Sequence, residues 1–167
     1  MIVLGIDPGL ANTGWGVVEM RSGVCRARAY GCIKTKADTP LDQRLNTIFC
    51  GIAQVICRYE PEEMAIEKIF FGQNTKSAIA TAHARAAAMI PAAQANMGVG
   101  EYTPLQIKQA IVGNGHADKL QVTYMVRNVL ALDHDPKPDH CADALAAAVC
   151  HANLIRTRAL TRDVYNR

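Results

Sequence analysis

Apolar positions along the chain fall into short runs early and helix-spaced positions later. Ile2–Ile6 is an unbroken apolar run that stops at Asp7-Pro8-Gly9, which predicts a central strand ended by a turn. Gly14–Met20 and Val24–Ile33 are rich in strand formers and are separated by Arg21-Ser22-Gly23, the pattern of a hairpin. Pro40 opens a helical pattern in which Leu41, Leu45, Ile48, Ile52, Val55 and Ile56 share one face as far as Tyr59. Pro61 ends it, and Met64–Glu67 reads as a strand parallel to the first, because a crossover helix precedes it. Residues 75–97 are Ala-rich and helical, with Pro91 expected to kink or break the helix. Val99–Tyr102 is a further strand. Helices follow over Pro104–Val112 and over Asp118–Leu130, where Asp118 is placed as a cap, and a last helix runs from His140 to about Ile155. This order predicts one α/β domain over residues 1–155. Its core is a mixed five-stranded sheet, with the first three strands antiparallel and helices packed on it, and a basic tail over 156–167 is expected to be loose.

Length and composition fit that picture. The 167 residues are half hydrophobic and one-fifth charged, the balance of a folded domain and not of a disordered chain. The longest apolar run is about eight residues, far below the roughly 20 that span a bilayer, so a membrane partner is not expected. The six cysteines, at 25, 32, 50, 57, 141 and 150, form no C-x-x-C pair, which argues against a structural zinc site. MIVLGIDPG carries no signal-peptide pattern, and a cytoplasmic protein with reduced thiols is expected.

The net charge of +3 hides a pattern. Residues 68–127 carry six Lys/Arg against two Asp/Glu, residues 128–150 one against four, and residues 151–167 four against one. A basic middle and tail around a short acidic stretch suit a protein that holds a polyanion and gathers carboxylates; uneven surface charge alone would give the same count.

Asp7 and Glu67 each end an apolar strand, where a carboxylate is costly unless it is paired or binds a cation. Each also has a plainer reading, Asp7 as a turn cap and Glu67 as an exposed strand end. His140 and Asp143 stand three apart and project from one face of the first turn of the last helix. Asp139 lies about 100° away from His140 round that helix and ranks lower. If the first and fourth strands are neighbours, Asp7, Glu67, His140 and Asp143 converge. That donor set suits magnesium or manganese, and two such ions about 3.5–4 Å apart support in-line phosphoryl displacement.

Four segments, GIDPGLANTGWGV at 5–17, AIEKIFFGQN at 65–74, IKQAIVGNGHADKLQV at 107–122 and HCADALAAAVCHA at 140–152, resemble in order and spacing the RuvC family of Holliday junction resolvases. The resemblance implies an RNase H-like fold and a homodimer. It implies a Mg²⁺-dependent endonuclease that resolves four-way DNA junctions by paired symmetric nicks, leaving 5′-phosphate and 3′-hydroxyl ends in recombination and repair. Two Mg²⁺ ions per site, replaceable by Mn²⁺, would sit on Asp7, Glu67, Asp143 and His140. Many family members carry Asp where His140 stands, so this residue is either a neutral metal ligand or a general acid/base. Lys108 and Lys119 match lysines that face DNA, and they flank the Gly113–His116 loop, whose glycines allow close backbone approach to phosphate. Phe70 resembles an aromatic that stacks on an unpaired base, with Phe71 as its alternate, though packing against the loop is an equal reading. Gln73 and Asn74 complete a polar loop able to touch the backbone. The family also works with the RuvA and RuvB branch-migration proteins. Two rivals remain: a catalytically weak junction-binding module, motivated by His140, and an actin-like sugar kinase or ATPase, which needs about twice this length.

Overall fold

The computed structural model describes residues 1–69 and 75–165. Five strands form one sheet: β1 (Ile2–Asp7), β2 (Asn12–Arg21), β3 (Val24–Lys34), β4 (Glu63–Glu67) and β5 (Gly98–Tyr102), in the order β3-β2-β1-β4-β5. β1–β2 and β2–β3 pair antiparallel, while β1–β4 and β4–β5 pair parallel, as the crossover helix requires. Five helices complete the chain: α1 (Leu41–Tyr59), α2 (Thr75–Gln94), α3 (Pro104–Val112), α4 (Lys119–Leu130) and α5 (Asp139–Tyr165). The mixed sheet flanked by helices is therefore as the sequence predicts.

Strand alternation divides the core into two layers. Leu4, Ile6, Val17, Met64 and Ile66 point to one side and pack against Ile48 and Ile52 of α1 and Ala84 and Ala88 of α2. Val3, Val18 and Ala65 point to the other side, against Ile107, Val126 and Leu145 of α3, α4 and α5. Gly5, Asp7 and Glu67 belong by the same alternation to the α5 side.

The closeness of α5 to the sheet depends on glycine. A Cβ on Gly5 would overlap the backbone carbonyl of Ala144, and one on Gly14 that of His140. The buried run Ala144–Ala148 supplies the matching small surface on the helix. Thr103 and Asp118 start α3 and α4 with capping boxes, each accepting from the N3 backbone amide while the N3 glutamine accepts from the cap's own amide.

Two helix boundaries differ from expectation. Pro91 lies inside α2, which continues to Gln94. Pro91 has no amide to give the Ala87 carbonyl, yet the helix runs on past it, and Ala95 N–H reaches the Pro91 carbonyl at 3.1 Å. α5 does not stop near Ile155 but runs to Tyr165, so a helix occupies most of the expected loose tail. No glycine or proline follows Ile155 to halt it.

Candidate active site at the carboxyl edge of the sheet

The β1–β4 register pairs Ile6 with Ile66, which leaves Asp7 and Glu67 side by side at the carboxyl ends of two central strands. Asp7 is also the cross-strand partner of Gly14, whose bare Cα lets the first turn of α5 settle over it. That contact delivers His140: its Nδ1 lies 2.7 Å from Asp7 Oδ2. Asp143, one turn on, faces a cleft of about 240 Å³ lined by Glu67, Lys108, Lys119, Ile107 and Val122 among others. The four residues expected from the sequence therefore stand round one end of the sheet.

Their electrostatics follow from crowding. Burial pushes the Glu67 carboxyl up to about 7, and the neighbouring charges of Asp7 and Asp143 push the same way while Lys108 opposes them. Burial also raises Asp7; the hydrogen bond to His140 pulls it back and the Asp143 charge raises it again. Lys119 places its Nζ 3.2 Å from Asp143 Oδ2 and 3.4 Å from Asp139 Oδ2. Burial works against its charge, but these two carboxylates outweigh that and hold it above the ordinary lysine value.

A divalent cation fits this chemistry: three crowded carboxylates push the pKa values of Asp7 and Glu67 up, a neutral imidazole can add a nitrogen donor, and an ammonium already lies against one carboxylate. Among the described residues no three metal-ligating side chains are gathered closely enough to form a preassembled cage. Asp7 is engaged by His140 and Asp143 by Lys119, each through one carboxylate oxygen, which leaves the other oxygen of each for a cation.

Asp139 pairs with Lys119 and has no contact with Asp7 among the described ion pairs. Lys108 and Lys119 do line the cleft beside Glu67 and Asp143. Phe70, Phe71, Gln73 and Asn74 lie outside the described residues. The sequence reading did not anticipate a second cleft, on the other side of His140, that contains Asn12, Lys34 and Lys137. Only the strand order brings the end of β3 there.

The RuvC family model, described as crossover junction endodeoxyribonuclease RuvC, matches residues 3–151. The chain belongs to the RuvC family. The Moorella thermoacetica crossover junction endodeoxyribonuclease RuvC is 47% identical over 167 residues, all of both chains. That of Desulforamulus reducens is 48% identical over 152 residues, covering 91% of this chain and 93% of the relative. A solved structure of Thermus thermophilus RuvC, described as in complex with Holliday junction substrate, superposes with a TM-score of 0.90 at 38% identity, covering 94% of this chain and 96% of the other. The yeast mitochondrial Holliday junction resolvase Ydc2, at 11% identity and a TM-score of 0.63, shares the fold. The RNase H-like architecture and the crossover junction endodeoxyribonuclease activity of this RuvC-family chain follow, and with the family comes dependence on a divalent metal. Among the described residues no helix is long and apolar enough to cross a membrane.

Proposed function

We propose that this RuvC-family nuclease binds four-way DNA junctions as a homodimer in the cytoplasm and nicks two opposed strands symmetrically. Asp7, Glu67, Asp143 and His140 would hold two Mg²⁺ ions, with Mn²⁺ as a substitute. The observation that carries this reading is the convergence of Asp7, Glu67 and Asp143, mutually repelling and next to basic side chains, at one edge of the sheet.

The bound ions supply Lewis-acid stabilisation of the phosphoryl oxygens and a nucleophilic water at neutral pH. The chain's own residues do the rest. Lys108 and Lys119 flank the carboxylates and are placed to hold phosphate oxygens. Lys119 must exchange Asp143 for the DNA backbone as substrate enters, which frees that carboxylate. His140 keeps Asp7 oriented through Nδ1, and its Nε2 is left to carry a proton at the leaving oxygen or to join the ligand set. Hydrolysis leaves 5′-phosphate and 3′-hydroxyl ends.

The homodimer is supported by α2. Its inner face packs on α1, while Ile79 and Ile90 are 51% and 50% exposed, with Ala82 and Ala86 exposed between them on the same side. Small residues flanked by isoleucines suit close helix packing, and a single domain with one active site needs a partner to cut two strands. Delivery by the RuvA and RuvB branch-migration proteins belongs to the same reading and rests on family membership.

The test is a synthetic four-way junction incubated with Mg²⁺, comparing wild type with Asp7→Asn. Wild type is expected to give symmetric nicks, and the variant to lose at least about 100-fold in rate, since the metal contributes several kcal/mol at the transition state. A wild type that binds the junction without nicking it in Mg²⁺ or Mn²⁺ would instead establish the catalytically weak binding module.

A further inference from the structure

Beyond His140 from Glu67 lies a second cleft, of about 490 Å³, lined by Asn12, Lys34, Lys137, Pro138, Asp139 and His140. It adjoins the active site, because His140 lines it and also touches Asp7. Lys34 and Lys137 are exposed, and among the described residues neither forms an ion pair. Asp139, the one carboxylate on the wall, is turned to Lys119, 3.4 Å away. The cleft therefore carries uncompensated positive charge.

Its parts are also positioned. Lys34 is the cross-strand partner of Asn12, so the two side chains share one face of the β2–β3 pair. Cys32 Sγ lies 3.9 Å from Asn12 Oδ1, which leaves the Asn12 amide hydrogens for another acceptor. The Lys137 carbonyl accepts from Cys141 Sγ at 3.5 Å and the Pro138 carbonyl from the Cys141 amide at 2.8 Å, fixing this segment to the start of α5.

We propose that Lys34, Lys137 and Asn12 bind the phosphodiester backbone of the strand being cut, on the side of the scissile phosphate opposite to Lys108 and Lys119. The sheet order sets the scale. Lys34 ends β3, two strands from β1 and two residues beyond Cys32, which is level with Asp7; at about 4.8 Å between strands and about 3.4 Å per residue its backbone lies about 12 Å from that of Asp7. A lysine side chain reaching back from there meets a phosphate about one or two nucleotides from the reacting one. The strand then runs along the carboxyl edge of the sheet, gripped on both flanks of the carboxylates, which fixes the scissile bond in line. The inference rests on the proposed junction cleavage.

The test is a cycle between protein and substrate. Single neutral methylphosphonates replace the phosphates on each side of the cut in a synthetic four-way junction, and wild type is compared with Lys34→Met/Lys137→Met. Single-turnover rate in Mg²⁺ and dissociation constant in Ca²⁺ are both read, and thermal melting confirms that the surface variant is folded. On one side of the cut, a methylphosphonate is expected to slow or weaken wild type about tenfold and the variant less than twofold. On the other side, both proteins should be impaired equally. Equal impairment of both proteins at every position, or a variant that matches wild type on the unmodified junction, would overturn the proposal. A wild type that binds but does not cut would refute the cleavage reading instead, and the same cycle in the dissociation constant would still decide the cleft.

Discussion

Glu67 shows how the site trades stability for function. Its carboxyl has an ordinary value of 4.5 and is pushed up to about 7 in the fold, first by burial and then by Asp7 and Asp143. A carboxylate raised in the folded state stabilises fully below pH 4.5, relative to its ionised form, and loses that contribution as pH rises through 7. Metal-free protein should therefore weaken across this window. Glu67→Gln should melt about 2–8 °C higher than wild type in EDTA at pH 8, on the order of 1–2 kcal/mol after solvent screening, and equally at pH 4. Adding Mg²⁺ at pH 8 should raise the melting temperature of wild type and leave the variant behind. The lysines answer to a different measurement. Lys108→Ala/Lys119→Ala should reduce the slope of log binding constant against log salt by about 2, one for each phosphate that is no longer neutralised. An unchanged slope would remove them from the DNA surface. The sequence made Asp7, Glu67, His140 and Asp143 legible because each is a polar residue at the end of an apolar element. It could not show that Lys119 reaches Asp143, nor that Lys34 and Lys137 flank His140, since both depend on which elements become neighbours.

The strands and helices were readable for a related reason. Alternation in β1 and β4, the turn at Arg21–Gly23 and the cap at Asp118 are local signals, and local signals set these elements. A break at Pro91 and a stop near Ile155 are not seen, because helical hydrogen bonding resumes beyond the proline and nothing after Ile155 halts α5. What no local signal supplies is the seating of α5 on β1 and β2, which requires a bare Cα at Gly5 and Gly14. These two glycines should respond differently to alanine. Gly5→Ala drives a methyl into the second and third turns of α5, at Ala144 and Ala148, and should cost about 3 kcal/mol or more, seen as a large fall in melting temperature. Gly14→Ala meets only the first turn, at His140. That turn can lift with less loss of stability, but His140 and Asp143 lift with it. Junction cleavage should then fall by at least about tenfold while the melting temperature drops by only a few degrees, a separation that a purely structural role for Gly14 would not produce.

One domain offers one set of carboxylates, yet resolving a four-way junction means cutting two strands. The outer face of α2 offers one stretch of apolar surface, Ile79 and Ile90, and the active-site edge at the carboxyl end of β4 precedes the start of α2 in the chain. An antiparallel pairing of two α2 helices about a twofold axis would leave both sites open to DNA while tying their geometry together. Ile79→Asp/Ile90→Asp places two charges in that face without touching the core or any residue of the site. If the chain pairs through α2 as proposed, sedimentation should show wild type as a dimer and this variant as a monomer at the same concentration, with an unchanged melting profile at high protein dilution. On a supercoiled plasmid carrying a cruciform, wild type should convert the substrate directly to linear product, because the second nick follows the first within one encounter. The monomeric variant should accumulate nicked circles, since each cut then requires separate binding. Linear product formed at the wild-type ratio by a proven monomer would show that the two cuts are coupled by the junction itself and not by α2.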